Sequence, residues 1–136
     1  MSLESPLGKF LGHGSARDGT GHWWSQKLTA VALIPLTIWF VFAVLGMDSF
    51  DYASVRLWIG APLNAILLIL FTVSALYHSD LGLQVVVEDY VHGATKVVTL
   101  MVLKFMHVAL AVAVVYSIII ISLGAIVLGS ASSGAA

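Results

Sequence analysis

Residues Val97 to Leu128 read VVTLMVLKFMHVALAVAVVYSIIIISLGAIVL, an apolar stretch whose one charged residue is Lys104. A bilayer hydrocarbon core of about 30 Å needs about 20 apolar residues of helix. At 1.5 Å per residue this stretch would reach about 48 Å. It is therefore expected to cross a membrane as a tilted helix, or one whose start lies outside the lipid, with Lys104 snorkelling to the interface and the crossing itself at about 103–126. Working outward, two more uncharged runs of spanning length appear, about Leu28 to Met47 and about Leu57 to Tyr77. The expected fold class is all-α: a membrane protein of three transmembrane helices in a single domain, residues 1–136. Pro35 falls inside the first run, where membrane helices tolerate proline.

Composition agrees. An apolar share of 60%, a charged share of 10% and a mean hydropathy of +1.01 leave more apolar surface than a soluble fold of 136 residues can bury. The net charge of -1, without a basic run, excludes nucleic acid as an expected partner. With no cysteine in the chain, disulfides, thiolate catalysis and cysteine-held metals are excluded, so any metal must be held by histidine or carboxylate. The start, MSLESPLGKF, resembles neither a secretory signal nor a transit peptide, and an unprocessed bacterial chain is expected.

Lys9, Arg17 and Lys27 precede the first span, and Lys96 and Lys104 flank the start of the third, whereas the first connection holds only Arg56. The positive-inside rule then gives a cytoplasmic N-terminus and a periplasmic C-terminus. Trp23 and Trp24 fit an interfacial aromatic belt at the cytoplasmic face. Residues Asp48 to Arg56 are expected to form a short periplasmic turn, and GSASSGAA a disordered end. The connection Ser79 to Thr95 is expected to be longer, with Leu83, Val86, Val87, Tyr90 and Val91 forming a short amphipathic surface segment between spans two and three.

Chemistry concentrates at the cytoplasmic side. His78 ends the second span on a face shared with Ser74, Phe71, Leu67, Asn64 and Gly60, which marks a buried helix contact. A neutral imidazole there can ligate haem iron without a counter-charge. The other reading is an interfacial histidine hydrogen-bonded to a neighbour, and spacing by itself does not establish haem. Three helices leave much of a porphyrin edge exposed, so a second axial ligand is expected from a partner subunit, although His107 could in principle face His78. Asp89 and Tyr90 adjoin at the membrane surface. A phenol, neutral to about pH 10, suits hydrogen bonding to a quinone carbonyl, and a neighbouring carboxylate can relay a proton; the same pair also fits an ordinary amphipathic helix. His22, Ser25, Gln26 and Lys27 form a polar approach to the first span. There Lys27 could reach haem propionates or anionic lipid, or simply fix topology by snorkelling.

The ordered set HWWSQKLTA followed by YHSDLGLQVVVEDYVHG, with its H-x3-G-x6-DY pattern, resembles the hydrophobic membrane anchor subunits of bacterial succinate dehydrogenase, over nearly the whole chain. The resemblance implies that His78 is the axial ligand of haem b shared with a second anchor subunit. It also implies that Asp89 and Tyr90 belong to the site for ubiquinone or a related quinone. Lys27 takes the place of a basic residue, commonly Arg, near the haem propionates, and His22 lies near a propionate as well. Lys lacks the bidentate fork of Arg, which puts that placement in doubt. A flavoprotein and an iron–sulfur subunit are the further implied partners, in the bacterial cytoplasmic (inner) membrane. The chain would be part of an enzyme and catalyse nothing alone. A fumarate reductase anchor and a non-redox membrane scaffold are the competing expectations.

Overall fold

The computed structural model describes the backbone of residues 17–133 and the side chains of residues 21–127. Lys9, the side chain of Arg17 and residues 134–136 of the expected disordered end lie outside the described residues. The chain forms four helices: α1 (Arg17–Leu45), α2 (Tyr52–Gly60), α3 (Pro62–Tyr90) and α4 (Gly93–Ser133). Three of them, α1, α3 and α4, are long and apolar enough to cross a membrane. Three crossings would put Arg17 and Ser133 on opposite sides of a bilayer. Pro35 sits within α1 without ending it.

The second span does not begin at Leu57. Residues Leu57 to Gly60 close the separate helix α2, and α3 starts at Pro62. Proline has no N–H and disfavours helical backbone in the residue before it. Ala61 accordingly turns extended at φ -63°, ψ 127°. Both ends of the break remain satisfied: Ala61 N–H donates to Leu57 O at 3.2 Å, and Ala61 O accepts from Ala65 N–H at 2.9 Å. Asn64 Nδ2 donates to Trp58 O at 2.9 Å, taking up a carbonyl that the end of α2 would strand.

The first connection, expected as a plain turn, thus contains the start of a helix. Asp51 caps α2 by accepting from Ser54 N–H at 2.9 Å and from the Ser49 hydroxyl at 2.6 Å. The Ser49 hydrogen bond, followed by those from Ser54, lowers the Asp51 carboxyl from its ordinary 3.8 to about 2.

The connection between the second and third spans is also shorter than expected. Residues Ser79 to Tyr90 are helical, as their spacing suggested, but they continue α3 without interruption. Gly82 is the weakest helix former before Val91, and its cost of about 1 kcal/mol does not break a helix packed on both sides. Only Val91 and His92 separate α3 from α4, and Gly93 supplies the reversal at φ +67°. At the other end, residues Gly129 to Ser133 of the expected disordered tail prolong α4.

Helix α3 is central. It packs against both α1 and α4, which do not pack on each other, while α2 lies against α3 and α4. The buried centre is small, Ala65, Leu68 and Ile118, and aromatic rings surround it. Trp58 of α2 stacks on Trp39 of α1 with centroids 6.1 Å apart, and Phe40 stacks on Phe71 of α3 at 5.1 Å. Large apolar side chains elsewhere, such as Phe42, Leu45 and Phe105, face outward, as lipid-exposed or partner-covered helices require.

Helices α2 and α4 approach closely at Gly60 and Ala125. A Cβ on Gly60 would stand 2.6 Å from Ala125 Cβ. Gly60→Ala is expected to push α2 off α4 and to cost about 1–3 kcal/mol, read as a lower thermal midpoint in detergent. Ala125→Gly in the same chain should recover most of the loss, and no effect from Gly60→Ala would show that the helices do not meet there.

Candidate functional site

The site begins on α1. His22, Gln26 and Thr29 recur at spacings of four and three, so they share one face, and that face lies against α3. Thr29 Oγ1 lies 3.0 Å from His78 Nδ1. The same hydroxyl donates back along its own helix to Ser25 O at 2.8 Å, with Gln26 O at 3.1 Å. One turn further along α3, a Cβ on Gly82 would lie 3.7 Å from Gln26 Nε2, so the amide rests against bare backbone. At that distance a methyl group would make only an ordinary van der Waals contact with the amide.

Two buried side-chain polar atoms among the described residues have no hydrogen-bond partner, His22 Nε2 and Gln26 Oε1. Both belong to the α1 face that carries Thr29. A buried orphan costs about 1–3 kcal/mol, which a fold bears when a group from outside the chain completes the contact. The two orphaned atoms, an imidazole nitrogen and an amide oxygen, can hydrogen-bond a polar group brought by a ligand or a partner chain. Among the described residues no cluster of three or more His, Asp or Glu forms a chelate of its own.

Lys27 is not on this face. It follows His22 by five residues, about 140° around the helix. Its ammonium is exposed, 5.6 Å from the ring centroid of Trp23, which in turn meets Trp24 edge-on at 5.3 Å. His22 and Lys27, which the sequence grouped, thus point to different surroundings.

Asp89 and Tyr90 form the last turn of α3. Eleven residues beyond His78 is three helical turns, so Asp89 lies on the same stripe as His78, about 16 Å along the axis. Tyr90 is 80% exposed and Asp89 is exposed. Beside them Glu88 accepts from Gln84 Nε2 at 2.8 Å, and Lys96 Nζ donates to Glu88 O at 3.3 Å, which ties the start of α4 to the end of α3.

His107 does not face His78. Its Nδ1–H donates to Leu103 O at 2.8 Å, which leaves Nε2 to accept from the Ser79 hydroxyl at 3.3 Å. Both ring nitrogens are thereby engaged inside the chain. Next to this contact Asp80, 8% exposed, forms an ion pair with Lys104, whose side chain remains 58% exposed. Lys104, expected near the interface, is held against α3 by this pair. The pair borders a groove of about 290 Å3, otherwise lined mainly by apolar groups such as Val73, Leu76 and Val108. Isolated opposite charges inside two apolar stretches are a legible signal of such a pair, but their partnership depends on the register of α3 and α4.

Over residues 1–120 the chain matches the family described as succinate dehydrogenase/fumarate reductase transmembrane subunits. It is 31% identical over 127 residues to the succinate dehydrogenase hydrophobic membrane anchor subunit of Paracoccus denitrificans, covering 93% of this chain and 98% of that one. The subunit of the same name from Rickettsia bellii is 37% identical over 79 residues, 57% of this chain and 62% of the relative's length. The succinate dehydrogenase membrane anchor subunit of Reclinomonas americana is 29% identical over 92 residues, 65% of this chain and 77% of that one. No solved structure matches.

Removing one member of the Asp80–Lys104 pair strands the other. Lys104→Met should destabilise the assembled protein by about 1–3 kcal/mol, less than the about 3–5 of a fully buried pair because Lys104 is half exposed. Asp80→Leu combined with Lys104→Leu should recover most of the thermal midpoint. A single variant as stable as the parent would remove the ion pair as a clamp.

Proposed function

The chain belongs to the succinate dehydrogenase/fumarate reductase transmembrane subunit family, and we propose that it is the hydrophobic membrane anchor of a succinate:quinone oxidoreductase, holding haem b with a second anchor subunit and forming part of the quinone site. The observation that carries this reading is the α1–α3 face, where His78 meets Thr29 next to the two orphaned atoms of His22 and Gln26. The full-length likeness to the Paracoccus denitrificans anchor supports the same assignment.

In this reading His78 Nε2 holds the haem iron, and His22 offers its imidazole to a propionate. Haem b, when bound, supplies one-electron transfer within the membrane. Gln26 and Thr29 exclude water and lipid from the ligand's flank. Lys27, lying on another face, serves the headgroup layer with Trp23 and Trp24. At the end of α3 the Tyr90 hydroxyl donates a hydrogen bond to a carbonyl of ubiquinone or a related quinone. A phenol is suited to this because it stays neutral below about pH 10 and buries no charge when the quinone docks. Asp89 orients the basic groups of a neighbouring chain and takes part in proton delivery as quinone becomes quinol. The strong exposure of Tyr90 fits a site whose other walls come from an iron–sulfur subunit and the second anchor. A flavoprotein carries out succinate oxidation, and this chain tethers the assembly to the bacterial inner membrane with its N-terminus in the cytoplasm.

The family also includes fumarate reductase subunits. The curated relatives above bear the succinate dehydrogenase name, which favours that direction.

Purification through a tag on this chain should bring down a flavoprotein and an iron–sulfur protein, and the particle should give a reduced-minus-oxidised spectrum of b-type haem. Isolation of a particle without those two subunits would end the proposal. Within the particle, Tyr90→Phe should lower quinone reduction on the order of tenfold, about one hydrogen bond's worth, while succinate oxidation by an artificial acceptor persists. Equal loss of both activities would remove Tyr90 from the quinone site.

A further inference from the structure

We propose that Thr29 is a positioning residue for His78, fixing the imidazole in the tautomer with its proton on Nδ1 so that Nε2 is the nitrogen left to bind iron; this rests on the haem reading above. The argument follows the protons. A threonine hydroxyl has one proton to give, and Thr29 Oγ1 lies 2.8 Å from Ser25 O and 3.1 Å from Gln26 O, both of which can only accept. With its proton turned to those carbonyls, the hydroxyl presents a lone pair to His78 Nδ1 at 3.0 Å. Two lone pairs at that distance repel, so Nδ1 must be the protonated nitrogen. In a neutral imidazole the bare pair is then on Nε2.

The resulting chain runs in one direction: His78 Nδ1–H donates to Thr29 Oγ1, and Thr29 Oγ1–H donates to Ser25 O. Donation from the far nitrogen strengthens the ligating one, because electron density withdrawn from the N–H bond appears on the opposite side of the ring. It also fixes the plane of the ring, which a single axial bond leaves free to rotate.

His107 is an internal contrast. Leu103 O fixes it in the same tautomer, but its Nε2 accepts from the Ser79 hydroxyl. Of these two histidines, one spends its second nitrogen within the chain and the other is set by Thr29 to spend it elsewhere. Helix α1 would thereby decide which nitrogen of the α3 histidine is free to hold iron.

The test uses the assembled complex with Thr29→Val, which keeps the shape and removes the hydroxyl, and Thr29→Ser, which keeps the hydroxyl. Thr29→Ala serves in place of Val if Val blocks assembly. Val should weaken haem retention about 10- to 100-fold. It should also raise the haem midpoint potential, since a less basic imidazole favours ferric iron less, and change the low-spin ferric resonance. Ser should return all three towards the parent. Parent-like potential, spectrum and haem content in Thr29→Val would overturn the inference while leaving the haem reading in place. So would a Ser variant as altered as Val, which would mark Thr29 as packing only. Retention of an unchanged b-type spectrum in His78→Ala would overturn the haem reading itself, and this inference with it.

Discussion

Inside a bilayer a polar side chain has no water to fall back on, and the architecture follows from how one turn of α3 meets that demand. His78, Ser79 and Asp80 are consecutive, so they point in three directions around the helix. His78 meets Thr29 of α1, Ser79 donates to His107 of α4, and Asp80 pairs with Lys104 of α4. A rotation of α3 by a few tens of degrees would break all three at once. The azimuth of the central helix, and so the direction of the His78 ring, is therefore set by polar contacts, whereas apolar packing onto Ala65, Leu68 and Ile118 sets only how closely the helices approach.

The polar contacts also explain why so little of the molecule is buried. The three spans form an open row with α3 in the middle, and most large apolar side chains face outward. In water such an arrangement would collapse or aggregate. In lipid it is at equilibrium, because hydrocarbon solvates Phe42 or Phe105 as well as another helix would. The faces that cannot be left to lipid are those with His22, Gln26, Asp89 and Tyr90, and these cluster on α1 and α3 towards one end of the row.

Much of this was legible in the sequence, because length and hydropathy alone determine a membrane crossing, and the three spans appear where the apolar runs lie. Periodicity also indicated that residues after Ser79 are helical. It did not indicate that they join α3, since whether a helix continues past a polar stretch depends on tertiary support on both sides of Gly82. The break before Pro62 was carried by a single residue in an unbroken apolar run, and hydropathy does not register a missing N–H. His78, Asp89 and Tyr90 stood out by type and spacing. Thr29 did not, since a threonine in an apolar helix usually bonds only to its own backbone. Its contact with His78 spans 49 residues of sequence, and Asp80 meets Lys104 across 24. Such partnerships depend on helix register, which a single sequence does not specify.

The two-residue reversal at Val91 and His92 bears on how the protein is made. A ribosome-bound chain that released α3 alone would carry Asp80 at the end of its span without the counter-charge that Lys104 supplies. Because so short a turn forces α4 to fold back alongside, the two helices can leave the translocon as a hairpin with Asp80 and Lys104 already neutralised. The tight turn thus keeps the two charged residues on neighbouring helices close along the chain, so that neither helix need present its charge to lipid alone.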